Sequence, residues 1–368
     1  SLNISVDGAI KVALIDLLPW INNEAYKELK RLINYQSDNY SDKSKLFWIY
    51  TNAILNKTFD EIKSIKAKGL VEILYSYEEL KSDFEISDFK NLEEGEFIVG
   101  KSRSKVIKAD LINVPHLLVA GQTTMGKSTF VRQFITSLYL KNPRYTFELI
   151  DLKQGLEFQT FQGLPRVKVS SNIAEAMKIL KKLSTTVIEE RSKLLLANQC
   201  KDINSFLAIS KKDQVYPEGV DKRINLDRHI VVIDEAFDLF MAGAYADAKE
   251  VQKSRRAASK IAAQGRAVGV HIVVATQRPD RSAVDPQTKA NLVGKVCFRV
   301  SNIATSTTLI DNRSAADLPN IKGRAIWQST SRSDQVQTPH LTETQARELL
   351  GNKDIKVSTD DAGKEVDE

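Results

Sequence analysis

Cysteine is nearly absent from this sequence. Cys200 and Cys297 are the only 2 in 368 residues, far apart and in no CxxC pair. That points to a reducing compartment and away from a metal site, and both thiols are expected to be buried fillers. Long apolar runs are missing too. None approaches the ~18 residues that would mark a membrane span, and no signal-peptide pattern is expected within the sequence. The expected location is therefore cytoplasmic, with any membrane association supplied by partners or by a further segment. The first residue is Ser1 rather than Met, so the lack of an anchor here carries little weight. Internal repeats are also absent. What remains, 42% hydrophobic and 27% charged, is an ordinary soluble composition, long enough for about two or three domains.

The charge is unevenly spread. Residues 1–98 carry 12 Lys/Arg against 17 Asp/Glu, residues 99–352 carry 38 against 24, and the rest carry 3 against 6. The overall +6 thus hides a central block of +14, where either a polyanion partner or a solvated basic face fits.

Periodicity divides the chain in the same way. Residues 9–80 read as helical, for instance "AYKELKRLINY" and "FDEIKSIKAKGLVEILYSYEEL", and "SDFEISDFKNLEEGE" (82–96) as an acidic connector. From 97 to 345 short apolar runs alternate with helical segments: "HLLVA" (116–120), "TFELI" (146–150), "HIVVI" (229–233), "HIVVA" (271–275) and "GKVCFRV" (294–300). Such alternation predicts a mainly parallel sheet flanked by helices. The expected domains are a smaller helical one over 1–96, an α/β domain over 97–345, and a charged, disordered tail over 346–368.

Two motifs carry chemistry. "GQTTMGKST" (121–129) fits G-x-x-x-x-G-K-[ST] between a strand and a helix, the setting that motif requires. Gly121, Gln122, Thr123, Thr124, Met125 and Gly126 would wrap phosphates with backbone N–H groups, the helix dipole adding to them. Lys127 would reach the β- and γ-phosphates of ATP, Ser128 would ligate Mg²⁺, and Thr129 completes the motif. "HIVVIDEAFDLF" (229–240) then brings Asp234 and Glu235 out of a buried strand. Asp234 would hold the Mg²⁺ shell and Glu235 would orient or deprotonate water. An acidic strand cap explains one carboxylate; it explains two in succession poorly.

Together with four further stretches these motifs resemble the FtsK/SpoIIIE branch of the RecA-like motors. "VPHLLVAGQTTMGKST" resembles that family's entry into its phosphate loop, and "FELIDLKQGLEFQTFQGLP" (147–165) its I-D-P-K segment. "AMKILKKLSTTVIEERSKLLLANQCKDINSF" (176–206) is similar to its long helix with E-x-R-Y-x-L, and "GRAVGVHIVVATQRPD" (265–280) to its A-R-A-x-G-[IV]-H…A-T-Q-R-P. The resemblance covers about 97–340 and implies a RecA-like P-loop core. It gives Gln277 the part of a γ-phosphate sensor, where a strand-end glutamine alone reads as a turn residue. It makes Arg266 an arginine finger presented to a neighbouring subunit, where position alone suggests a helix C-terminal charge meeting the dipole. Arg278, Arg281 and Lys289 fall in its first pore-facing loop, as sequence-indifferent contacts to phosphates.

The implied function is an ATPase that threads double-stranded DNA through a homohexameric ring, in transfer, conjugation, segregation or packaging. The helical N-terminal domain would dock a protein partner. Two other readings remain open: a type VII secretion-like ATPase moving protein, and a nucleotide-gated assembly scaffold. Two features depart from the family. The second pore loop, "VSNIATSTTL" (300–309), has Ile303 and Thr307 where basic residues are usual, and the residues after 345 are too few for a winged-helix guidance domain.

Overall fold

The computed structural model describes residues 8–13, 59–65, 70–75, 80, 84, 92–102, 105–153, 155–240, 247–277, 286–330 and 332–351. They fall in two compact units, residues 1–81 with 101–106 and residues 82–100 with 107–368.

In the first unit strands β1 (Gly8–Ala13), β2 (Phe59–Ile65) and β3 (Leu70–Tyr75) pair antiparallel in the order β1-β3-β2. This corrects the helical expectation for "FDEIKSI" and "LVEILY". The second is rich in branched and aromatic residues, and Gly69 between them weakens a continuous helix. The register sets Ile73 opposite Ile10 on one side and Ile62 on the other. Branched neighbours across a ladder favour strand pairing. The segment "AYKELKRLINY" and the tail beyond 351 lie outside the described residues.

The second unit holds a sheet in which all five expected strands occur. They are β6 (Leu117–Ala120), β7 (Tyr145–Ile150), β9 (Arg228–Ile233), β10 (Val270–Thr276) and β11 (Gly294–Phe298), with β8 (Val167–Ser170) added. These six run parallel in the order β8-β7-β9-β10-β6-β11. Beyond β11 the sheet continues through β12 (Arg324–Ser329) and β13 (Arg332–Gln337), both antiparallel, then β4 (Glu96–Lys101) and β5 (Val106–Asp110).

Both faces of the parallel part are covered, which is why its strands read as unbroken apolar runs. Leu117, Val119, Ile230, Val232, Val273 and Ala275 face helix α1 (Lys127–Lys141) and its Phe130, Phe134 and Leu138. Their alternates Leu118, Ala120, Val231, Ile233, Ile272 and Val274 face α2 (Ile173–Lys181), α3 (Ile188–Ala197) and α6 (Ala248–Val268). Each large side chain so buried contributes about 1.5–3 kcal/mol. The short helices are α4 (Ile203–Leu207), α5 (Ala236–Phe240), α7 (Pro286–Asn291), α8 (Ile303–Ile310) and α9 (Glu343–Leu350).

The long helix expected over 176–206 is corrected in two respects. A π-helical turn, Lys182–Val187, joins α2 to α3, and the helix stops at Ala197. Gln199 turns left-handed at φ 52°, and Asp202 caps α4 by accepting from the N–H of Ser205. The filler expectation fits Cys297, which is buried and whose thiol burial pushes up to about 12; Cys200 is only half-buried.

Candidate active site

The site lies at the carboxyl ends of β6, β10 and β9. β10 separates the other two, so Gln277, directly after it, stands between the loop leaving β6 and the acidic pair leaving β9.

Two glycines set the path of the loop over 121–126. Gly121 has φ 153°, and a Cβ there would stand 2.5 Å from the Cβ of Phe298 on β11. Gly126 has φ 117°, with a Cβ 3.1 Å from the backbone of Gly323. Neither position admits a side chain without strain. Backbone hydrogen bonds anchor the loop on three sides: Gly121 N–H to Thr276 O, Gln122 N–H to Arg299 O, and Gly323 N–H to Met125 O. Gln122, Thr123 and Thr124 are exposed and Met125 is buried. Helix α1 starts at once from Gly126, with no side-chain cap and no acidic residue in its first turn. Its leading N–H groups and positive dipole end therefore suit an anion. Ser128 and Thr129 sit in that turn, half-buried.

Lys127 is 4% exposed, and its Nζ donates to both the main-chain oxygen and Oδ1 of Asp234, each at 2.8 Å. This charge-assisted contact ties the phosphate loop to the end of β9. The other oxygen of Asp234, Oδ2, is buried and has no hydrogen-bond partner among the described residues. A lone buried carboxylate oxygen, with the Ser128 hydroxyl in the first turn of α1, offers the hard-oxygen donors that Mg²⁺ takes, an ion that keeps several waters of its own.

Glu235 is held by β10. Its Oε1 accepts from the Thr276 hydroxyl at 2.6 Å and from the N–H of Phe237 at 3.4 Å, and its Oε2 accepts from the N–H of Gln277 at 3.0 Å. The side chain of Gln277 turns toward the loop, its Oε1 accepting from Thr123 Oγ1 at 2.7 Å. One residue thus touches both halves of the site, through its backbone and its amide. From β7 comes Lys153, whose Nζ is 4.0 Å from Asp234 Oδ2 and 4.0 Å from Glu235 Oε2.

The structure accordingly gathers 121–129, Asp234, Glu235 and Gln277. It does not bring Arg266 to them: this residue lies exposed in the last turn of α6, just before β10 begins, at the opposite end of the strands. Arg278 and Arg281 lie outside the described residues. Lys289, on α7, donates to Asp311 at 2.9 Å, and Lys295 pairs with the same carboxylate at 3.3 Å. The expected second pore loop is mostly helix α8, capped by Asn302, with Ile303 and Thr307 exposed. The motif reading gave no role to Thr276 or Lys153. A threonine closing an apolar run, and a lysine two residues past a strand-end aspartate, were the available signals.

A parallel sheet covered by helices on both faces, with a glycine-shaped phosphate loop and paired carboxylates at its carboxyl edge, defines the P-loop nucleoside-triphosphatase class. The family model of FtsK/SpoIIIE matches residues 90–281, and the chain belongs to that family. Among curated relatives, the DNA translocase FtsK of Helicobacter pylori (strain J99) is 30% identical over 286 residues, 76% of this chain and 31% of that protein. That of Lactococcus lactis subsp. cremoris is 32% identical over 229 residues, 61% of this chain and 29% of that protein. The chain thus spans about three tenths of the length of these relatives. Among solved structures, the pCW3 conjugation coupling protein TcpA with ATPγS is similar at a TM-score of 0.66 and 26% identity, covering 84% of this chain and 86% of that one. The cytoplasmic domain of the type VII secretion ATPase EccC of Thermomonospora curvata, at 0.56 and 18%, covers 71% of this chain and 32% of that one and shares the fold. The fold is RecA-like. Among the described residues no helix is long and apolar enough to cross a membrane.

Proposed function

We propose that this chain is the motor portion of an ATP-driven translocase of double-stranded DNA, working as a homohexameric ring. The observation that carries the reading is the connected set Lys127–Asp234, Glu235–Gln277 and Gln277–Thr123. In it a change at the phosphate loop reaches, through Gln277, the segment 278–285 that follows.

ATP binds with its phosphates on the N–H groups of 121–126 and α1, and Lys127 exchanges its contact with Asp234 for phosphate oxygens. Ser128 and Asp234 hold Mg²⁺, which supplies charge neutralisation at the phosphates. Water adds to the γ-phosphorus as the bond to the bridging oxygen breaks. That bond's electron pair leaves on ADP, and the water's proton passes to Glu235. Arg266 serves the site of the next subunit; its exposure and its distance from its own site suit that role. DNA is gripped by Arg278 and Arg281 together with Lys289, once Lys289 is released from Asp311. The +14 charge of residues 99–352 and the DNA-translocating and conjugation relatives support DNA as the polymer.

The test is ATP hydrolysis with and without duplex DNA across low salt. Stimulation by duplex, lost in Lys127→Ala, is expected; no stimulation by any duplex would overturn the DNA reading.

A further inference from the structure

We infer that Lys153 is a further catalytic residue, a cation that β7 delivers to the γ-phosphate end of the site. This rests on the hydrolase reading above and assigns a group that reading leaves unused.

The loop after β7 is built to aim this side chain. Asp151, fully buried at the end of the strand, accepts from the N–H of Lys153 through Oδ1 at 2.9 Å and from the N–H of Glu157 through Oδ2 at 2.8 Å. An aspartate accepting from the residue two ahead folds the chain into a tight turn, and the second bond closes the loop onto the strand end. Asp151 is therefore occupied with the backbone, and Lys153 projects from the turn it makes. The ammonium lies equidistant, at 4.0 Å, from one oxygen of Asp234 and one of Glu235. Its side chain keeps 41% exposure, so the contact is not a sealed structural ion pair. Lysine is a compact point charge on a flexible stem, able to follow a ligand over a few ångströms.

The place it occupies matters more than the pairs it makes. The γ-phosphate must lie beyond Lys127 and within reach of water activated by Glu235. A dianionic terminal phosphate brought against Asp234 and Glu235 meets two like charges, and Lys127 approaches it from the α1 side alone. Lys153 faces the same carboxylates from β7, on the far side of β9 from the phosphate loop. It can swing from the acidic pair to the equatorial oxygens of the transferring group, where charge builds as the bridging bond breaks. Donors aimed at developing charge contribute most in the transition state.

Two variants and two measurements test this. Lys153→Met keeps the stem and removes the charge; Lys153→Arg keeps the charge. In Lys153→Met the DNA-free kcat should fall about 10²-fold, the scale of losing one charge-stabilising donor, with KM changed far less. Lys153→Arg should recover most of that loss. Binding of ATPγS and of ADP, each with magnesium, is measured separately by calorimetry. Lys153→Met should weaken ATPγS several-fold while ADP affinity stays at the wild-type value. An unchanged kcat would overturn the inference, as would equal weakening of both nucleotides, which marks a collapsed loop. If the wild-type chain hydrolyses no ATP, the hydrolase reading fails on its own. The difference between ATPγS and ADP binding then decides whether Lys153 meets the γ-phosphate.

Discussion

The two ends of the parallel strands treat buried charge in opposite ways. At the carboxyl ends Lys127 meets Asp234, Lys153 faces Asp234 and Glu235, and one carboxylate oxygen of Asp234 has no hydrogen-bond partner among the described residues. At the amino ends the buried polar groups are cations and imidazoles with neutral partners. Arg191, fully buried, donates to the main-chain oxygens of Val268, Asn225 and Asp227. Arg228 contacts His271 at 3.1 Å and donates to the side-chain oxygen of Asn204 at 2.9 Å. His271 reaches Pro115 O, and the N–H of Ile272 donates to His116 Nδ1. One end keeps charges and an acceptor available to a ligand; the other uses most of its donors to close the chain, with Arg191 Nε and His116 Nε2 left over among the described residues. Variants at the first end should change catalysis and leave stability alone, and variants at the second should do the reverse.

The largest expected effect is at Glu235. Glu235→Gln keeps the size of the side chain and one acceptor oxygen, which can still take the N–H of Gln277 while the amide NH2 donates to the Thr276 hydroxyl oxygen. It cannot take a proton, so hydrolysis should fall by about 10²–10⁴. Nucleotide binding and the midpoint of thermal unfolding should stay near wild type. A large drop in that midpoint would show that the acidic pair also holds the strands together, and the contrast between the two ends would fail.

Arg191→Met is the matching break at the other end. It leaves the buried carbonyl of Val268 and the part-buried carbonyls of Asn225 and Asp227 without this donor, at about 1–3 kcal/mol for the buried one and less for the two that water can reach. Denaturant unfolding should show a loss of several kcal/mol, while kcat per folded molecule is unchanged. This arginine belongs to the E-x-R of the family-like helix, where the motif alone gave no hint of burial. The guanidinium, lowered to about 10 by desolvation, stays charged at neutral pH.

The histidines make the same comparison through pH. Burial, with Arg266 nearby, lowers His116 from 6.5 to about 4, and burial, with Arg191 and Lys182 nearby, lowers His229 to about 3. His271 is pushed well below 6.5, by burial first and then by Arg228. In the unfolded chain all three take up protons near pH 6.5, whereas in the fold they stay neutral. The unfolded state therefore binds more protons below pH 6.5, and stability is full above that value and lost as pH falls toward 4. The slope should reach roughly 1.4 kcal/mol per pH unit for each histidine. His116→Asn, whose side-chain oxygen can still accept from Ile272, should remove one share of it. Urea unfolding between pH 7 and 4.5 measures this, and a flat profile would mean that these rings are open to solvent.

How much of this was legible beforehand follows from what periodicity can carry. The five apolar strands announced themselves because both faces are buried, and the phosphate loop because glycine spacing and a lysine have no common alternative use. Strands β12 and β13 did not, since "RAIWQSTSRSDQVQ" mixes polar and apolar residues, as antiparallel strands inside a sheet but only partly covered do. The convergence of His116, His229 and His271 depends on register: each heads an apolar run, but only the parallel pairing brings them to one end. Thr276 and Lys153 were hidden for a related reason. A hydroxyl or ammonium matters here through a residue on a neighbouring strand, more than forty positions away for Thr276 and about eighty for Lys153.

The smallest expected effect separates grip from structure at Lys289. Asp311 holds both Lys289 and Lys295 while its own side chain stays 67% exposed, and it sits in the left-handed conformation at φ 61° that ends α8. Asparagine tolerates that backbone as well as aspartate does. Asp311→Asn therefore removes the carboxylate without straining the turn. Stability should change by less than about 1 kcal/mol, the usual worth of exposed ion pairs. The two freed ammonium groups should nonetheless raise affinity for duplex DNA, and each further phosphate they neutralise steepens the fall of log K with log salt by about 0.9. An unchanged slope would leave Lys289 as part of the α7–α8 packing and put the grip on Arg278 and Arg281 alone. A steeper slope with unchanged unfolding would extend the free-charge character of the carboxyl end to the surface beside β11.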